Sequence, residues 1–333
     1  MSSPSPPSSL APLKGPVFRM LWMAWLAANV TMWMNDVAAA WLMTSLTDSA
    51  VLVALVQAAS TLPVFVLGLP SGALADIVDR RRYFAVTQLW VASVAVVLCA
   101  CSIAGLLTAP LLLALTFANG IGMAMRWPVF AAIVPEVVPR HELPAALALN
   151  GVAMNMSRVI GPVVAGALLA GAGSAFVFAL NAVMSIGAFV LILRWQSQRK
   201  ASALPGERFV GAMRVGWQHV MQSPRMRAVL LRIFLFFLQS TALVALLPLV
   251  ARSLHGGGAG TFTVMLSCVG GGAIIAALYF PRWRARFNRD QFVLAGTVVH
   301  AALSCLIVTV GEIWVALPAM VSVRWISADS VLT

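Results

Sequence analysis

Apolar residues gather in ten runs, at residues 18–46, 50–75, 83–107, 109–133, 143–171, 175–194, 228–251, 259–280, 291–311 and 312–333. Charges within them are few, and most match the roughly 20 residues that carry a helix across a hydrocarbon core. None alternates strictly over about ten residues as a barrel strand does, and lipid admits only helices and closed barrels. The pattern predicts an all-α integral membrane protein with short loops. The longest break, 195–227, divides the chain. The reading is a disordered N-terminus (1–17), a six-helix half (18–194), a linker (195–227) and a second half (228–333) that ends within its fourth run. Within the linker Phe209, Met213 and Trp217 recur at spacing four, which predicts an amphipathic helix on the membrane face. A solvated basic linker is the alternative.

Composition sharpens this. The chain of 333 residues is 61% hydrophobic and 10% charged, whereas soluble domains are about 25% charged. That excludes a cytosolic enzyme and a secreted disulfide scaffold. The net charge of +12 is a matter of placement. With the N-terminus in the cytoplasm, the inner ends and loops hold eighteen Lys and Arg and the outer loops one, Arg252. Topology imposes such a bias, so the positive-inside rule sets a cytoplasmic N-terminus and nucleic acid is not an expected partner. The cysteines Cys99, Cys101, Cys268 and Cys305 lie in apolar runs without ligand spacing, so no metal and no cofactor is expected. The first run is too long for the core of a cleaved signal and lacks its small-residue exit.

Two stretches stand out. Gly72-Ala73-Leu74-Ala75-Asp76 leads into Asp79-Arg80-Arg81-Arg82 after run two, with small residues suited to close helix approach. Ser157-Arg158-Val159-Ile160-Gly161-Pro162 continues to Ala165-Gly166 in run five, a small-residue packing face with a bend-forming proline. A plain basic turn and a plain packing kink are the simpler readings. The first stretch resembles the G-x-L-a-D-r-x-G-r-R loop of the major facilitator superfamily, with Ile77 and Asp79 departing from it. The second is similar to that superfamily's G-x-x-x-G-P-x-x-G-G antiporter motif, with Ser157 and Ala165 in place of two glycines. Run four departs further, since Thr116 stands where an arginine belongs before Asn119-Gly120-Ile121-Gly122; the nearest arginine is Arg126.

With Asn35-Asp36-Val37-Ala38-Ala39-Ala40-Trp41 and Arg126-Trp127-Pro128-Val129-Phe130, these stretches resemble the bacterial transmembrane secretion effector branch, to which enterobactin exporters are related. The resemblance implies a twelve-helix, proton-driven exporter of small molecules in the bacterial cytoplasmic membrane, working by alternating access. It implies that about ten of the twelve helices are present, and that Asp76 docks on an eleventh helix. A truncated, non-transporting membrane fragment is the alternative reading of the chain. The expected partners are a small-molecule substrate, protons and the lipid bilayer; no feature sets an oligomeric state.

Ionisable groups inside spans are expensive and mark function by default. Asp36, Arg126 and Arg158 are the three. The expectation is that Asp36 carries the coupling proton and that Arg158 or Arg126 pairs with it or binds an anion. A carboxyl whose arginine comes and goes couples protonation to conformation. An inert buried ion pair, or snorkelling of Arg126, is the simpler alternative. Asn29, Asn35, Asn119, Asn150, Asn155 and Gln57 could line a polar path or join helices. Trp22, Trp25, Trp33 and Trp41 read as packing or interfacial residues. An intramembrane enzyme would need paired aspartates, a Ser/His pair or H-E-x-x-H within spans, and the sequence has none.

Overall fold

The computed structural model describes residues 10–195, 221–254 and 257–268, with isolated positions at 218, 298, 299, 301, 302, 305, 306 and 318. Seven long helices are described: α1 Pro16–Leu46, α2 Ala50–Ile77, α3 Arg80–Ile103, α4 Ala109–Val137, α5 Leu143–Gly171, α6 Ser174–Arg194 and α7 Pro224–Ser253. A shorter one follows at Ala259–Cys268. No strand occurs among the described residues. The expected amphipathic linker helix at Phe209, Met213 and Trp217, and most of the last three runs, lie outside the described residues.

Local chemistry sets the helix ends. Asp79 caps α3, its Oδ1 accepting from the Arg82 N–H at 3.1 Å. Ser223 caps α7 the same way through the Met226 N–H at 3.3 Å, and Pro224 opens the helix at a position that needs no N–H. Gly105 (φ 67°) ends the turn after α3, and Gly173 (φ 86°) separates α5 from α6, backbone conformations that other residues rarely adopt. Short connections force successive helices antiparallel.

Three boundaries differ from the runs. Ala11–Lys14 form a 3-10 turn with Pro12 buried, and α1 starts at Pro16, inside the segment expected to be disordered. Leu13 packs against the core of the six-helix unit, which gives this turn an anchor. Helix α4 runs to Val137, beyond the apolar run's end at 133, since Ile133 and Val134 are buried. Arg80, Arg81 and Arg82 sit in the first turn of α3 rather than in a loop.

Two compact units make up the chain, residues 1–46 with 56–206 and residues 47–55 with 207–333. In the first, α1 packs on α5 and α6 and touches α4; α3 packs on α6 and α4. Gly120 brings α4 onto α2, where a Cβ would fall 2.6 Å from the Ser60 carbonyl oxygen. Thus α1 meets α6 as α4 meets α3, and α1 meets α5 as α4 meets α2. Those pairings relate α1–α3 to α4–α6 as inverted repeats. Among the described residues, five helices, α2 to α6, are long and apolar enough to cross a membrane. Helix α1 is not one of them. It is long enough, but Asn29, Thr31 and Asn35 are buried on it among its neighbours and Asp36 follows, so it is the unit's polar centre.

Candidate functional site

The face of α1 bearing Trp25, Asn29, Trp33 and Asp36 advances three or four residues at a time, so these side chains form one stripe. Two arginines reach it from different helices. Arg126 of α4 is 1% exposed; its Nη2 donates to the Ala28 carbonyl at 3.2 Å and its guanidinium lies 5.6 Å from the Trp25 ring centroid. One turn along α4, Phe130 stacks on the same indole at 4.0 Å, with the planes 2° apart. Arg158 of α5 is half-buried and lies 5.4 Å from the Trp33 ring centroid. Both are cation–π contacts in a desolvated setting. Ser157, beside Arg158, donates to the Leu26 carbonyl at 3.4 Å, while the two guanidiniums rest eight residues apart along α1, on Trp25 and on Trp33. Buried in the unit, Arg126 does not snorkel to an interface.

Asp36 lies eight residues beyond Ala28, about 12 Å along the helix axis. Neither arginine is paired with it among the described residues: its buried Oδ1 has no hydrogen-bond partner, and the ion pairs lie elsewhere. The expected Asp36 pairing is thus absent from this arrangement. Polar atoms buried without partners concentrate on the stripe: Trp25 Nε1, Asn29 Oδ1, Trp33 Nε1 and Asp36 Oδ1, with Nε of Arg126 and of Arg158. Buried polar atoms are normally satisfied, so such a cluster marks a place where water, protons or ligand enter. Asn29 Nδ2 donates to the Trp25 carbonyl at 2.7 Å. Asn155 is exposed and donates to the Gly151 carbonyl of its own helix; among the described residues it does not join the stripe. Thr116, where the family resemblance places arginine, is a fully buried hydroxyl without a partner among the described residues.

Asn35 belongs to a second polar group, whose other members the sequence pattern did not single out. Asn181 Nδ2 donates to Asn35 Oδ1 at 3.3 Å, Ser185 Oγ donates to Asn181 Oδ1 at 3.1 Å, and Gln88 Nε2 donates to the Ser185 carbonyl at 3.2 Å. This chain ties α1, α6 and α3 at the centre of the unit. Its signal was the Asn181–Ser185 pair, one helical turn apart in an otherwise apolar run.

The antiporter-like stretch is a close-packing face. A Cβ on Gly161 would meet Trp33 Cβ at 2.5 Å; Ser157 is fully buried, and α5 continues through Pro162 to the buried Gly166. The basic stretch works differently from expectation. Among the described residues a Cβ at Gly72 would meet nothing within 4 Å. Ser71 makes the close contact instead, its Oγ donating to the Ala124 carbonyl at 2.8 Å. Arg80 Nη1 pairs with Glu136 at 2.5 Å and donates to the Ala132 carbonyl, while its Nε donates to the Ala75 carbonyl. Arg81 donates to the Leu193 carbonyl at the end of α6. Arg82 is exposed, and the Asp76 side chain lies outside the described residues. Positive charge in the first turn of α3 opposes the helix dipole; Asp79 and these acceptors offset it.

The arrangement of helices is that of the major facilitator transporters. The nucleoside transporter NupG superimposes with TM-score 0.71 at 12% identity, covering 95% of this chain and 81% of that one. A bacterial homolog of the human lysosomal transporter Spinster, inward-facing and occupied, gives 0.67 at 13% identity over 96% and 73%. Within that superfamily, the chain belongs to the transmembrane secretion effector family, whose pattern matches residues 7–333. It is 22% identical to the staphyloferrin A transporter of Staphylococcus aureus (strain NCTC 8325 / PS 47) over 75% of this chain, and 23% identical to macrolide efflux protein A of Streptococcus pyogenes over 72%. The matches span 63% and 60% of those proteins' lengths. The chain is thus a multi-pass membrane protein whose relatives are transporters.

Proposed function

We propose that this chain serves proton-coupled export of a small molecule across a bacterial cytoplasmic membrane by alternating access, with its N-terminus in the cytoplasm. The orientation rests on the basic loops; the export reading draws on the staphyloferrin A transporter and macrolide efflux protein among its relatives.

One observation carries the coupling. Among the described residues the buried Asp36 Oδ1 has no donor, while Arg158 Nε, resting on Trp33 three residues earlier on the same face of α1, has no acceptor. A carboxyl takes up and releases a proton. A guanidinium parked on an indole within about one turn is a partner that can be present in one conformation and absent in the other. Arg158 therefore fills the partner role. Arg126 does not, because its guanidinium is bonded to Ala28 deeper along α1.

Everted membrane vesicles from cells producing the protein test this, with staphyloferrin A and a macrolide as substrates. Accumulation of either, driven by an imposed proton gradient and abolished by a protonophore, is expected. Asp36→Asn should lose gradient-driven accumulation and keep substrate exchange. Gradient-driven transport by Asp36→Asn, or a folded wild-type protein that moves neither substrate, overturns the proposal.

A further inference from the structure

Arg81, in the first turn of α3, donates from Nη2 to the Leu193 carbonyl in the last turn of α6. At the opposite end of the same pair Ser102 meets Ser174 at 3.5 Å, so two membrane-length helices lie packed along their whole length. Two more arginines stand at the Arg81 end, Arg82 on α3 and Arg194 on α6. Both are exposed, and neither is paired with a carboxylate among the described residues. Trp195, buried in the core, turns the chain inward directly after Arg194 and fixes where that arginine leaves α6. The described acids at this end are engaged: Asp79 caps α3, and Glu136 holds Arg80 on the side of α4. Asp76 belongs to α2, and its side chain lies outside the described residues.

Each of these two arginines heads an exposed apolar stripe. Steps of four and three residues from Arg82 reach Val86 and Leu89, which are 61% and 47% exposed. Steps of the same size back from Arg194 reach Val190 and Ile186, which are 40% and 45% exposed. A basic pair above two apolar stripes has the layout of a phospholipid, with charge at the polar boundary and chains along the helix faces beneath. Guanidinium groups suit the phosphate, because their planar N–H forks match its oxygens. A soluble anion would use the arginines and leave the stripes idle. A peptide partner would have to reach faces that lie within the spans.

We infer that this edge of α3 and α6 binds an anionic phospholipid, its headgroup phosphate held by Arg82 and Arg194 and its acyl chains laid against the two stripes. Headgroup charge sets the preference. Phosphatidylglycerol brings a net negative charge, whereas phosphatidylcholine carries its own cation beside the phosphate and gains less from two arginines. The lipid bridges helices that Arg81 already ties at this end. It therefore stabilises the six-helix unit, because a ligand that binds only the folded state raises its stability by mass action. The surface is separate from the Asp36–Arg158 stripe and does not depend on the export reading. Only its leaflet, the cytoplasmic one, rests on the orientation proposed above.

The test is native mass spectrometry of the purified full chain, released from micelles that hold equal amounts of phosphatidylglycerol and phosphatidylcholine with matched acyl chains. Wild-type protein should retain phosphatidylglycerol in preference, and its Tm in micelles should rise by several degrees with that lipid but not with phosphatidylcholine. Arg82→Gln and Arg194→Gln should each weaken retention about fivefold, the worth of one basic residue at an anionic membrane surface. Together they should abolish the preference. Both positions are exposed, so the variants should melt like wild type in phosphatidylcholine. Arg140→Gln, which removes an exposed arginine from the turn before α5, should leave retention unchanged. Equal retention of the two lipids by wild type would overturn the inference. A loss in Arg140→Gln as large as in Arg82→Gln would do the same, since it would show a diffuse basic surface without a site. A Tm rise matched by inorganic phosphate at equal concentration would also overturn it, by assigning the arginines to a free anion.

Discussion

Gly161 of α5 stands so close to Trp33 of α1 that a Cβ in its place would lie 2.5 Å from the tryptophan Cβ and 3.0 Å from the Val30 carbonyl oxygen. Both neighbouring atoms belong to or adjoin the backbone, so neither can rotate away. The contact fixes the spacing between two helices that each supply one partner of the Arg158–Trp33 stack.

Gly161→Ala should therefore destabilise the unit by about 1–3 kcal/mol, the usual range for overpacking. Gly187→Ala on α6, where a Cβ meets nothing within 4 Å among the described residues, should be neutral or slightly stabilising by helix propensity. Unfolding of the two variants in mixed micelles, followed by tryptophan emission, separates them. Equal behaviour would refute the close-contact assignment.

The amide chain at the unit's centre makes a different prediction. Asn181→Leu leaves Asn35 Oδ1 and the Ser185 hydroxyl without their partners in a buried setting. That should cost about 1–3 kcal/mol. Removing Asn35 as well, in Asn35→Leu/Asn181→Leu, should cost less than the sum of the two single changes, because neither amide is then left facing an unpaired one. A double-mutant cycle read by thermal unfolding checks this; strict additivity would mean that the two amides do not interact.

Arg80 is a test of fork geometry. It reaches the Ala75 and Ala132 carbonyls and the Glu136 carboxylate from one guanidinium, tying the ends of α2 and α4 to the start of α3. About a third of the Glu136 side chain is exposed, so screening limits the ion pair alone to roughly 1 kcal/mol or less. Arg80→Lys should behave nearly like Arg80→Ala, since an ammonium cannot span these acceptors, whereas Glu136→Gln should be milder than either. Hydrogen exchange in the last turns of α2 and α4 is the measurement. Full protection in Arg80→Lys would show that charge rather than the fork holds this end.

How much of this was legible in the sequence follows from what lipid demands. Runs long enough to span announce themselves, because a backbone in hydrocarbon has no other structure available, and α2 to α6 follow those runs closely. Gly161 was legible through its neighbours Ser157 and Pro162, small and rigid residues at helical spacing. The depth of Arg126 was not. The apolar run stops at 133, whereas α4 continues to Val137, and that extra turn moves Arg126 from near an interface to the interior. Gln88, Asn181 and Ser185 were illegible for another reason: single amides in apolar runs look alike whether they bond across helices or face a cavity. Only the register of α3 against α6 brings Gln88 to Ser185.

The last prediction concerns Trp33 itself. If Arg158 waits on the indole until Asp36 requires it, the indole sets how readily the guanidinium leaves. A cation–π contact in a desolvated site is worth about 0.5–2 kcal/mol, so removing it should shift the balance between the two positions by roughly 2- to 30-fold. Trp33→Leu keeps an apolar side chain against Gly161 but offers no aromatic face. It should slow gradient-driven export within that range while leaving substrate exchange without a gradient close to wild type, because exchange does not require Asp36 to release its proton. Trp33→Phe should restore part of the difference, and Arg158→Lys should resemble Trp33→Leu, a compact ammonium being a poorer match to the ring face than a planar guanidinium. Rates in everted vesicles with and without an imposed proton gradient provide the comparison. If Trp33→Leu lowers both rates in proportion, the indole is a wall of the binding site, and the two-position arginine must be abandoned.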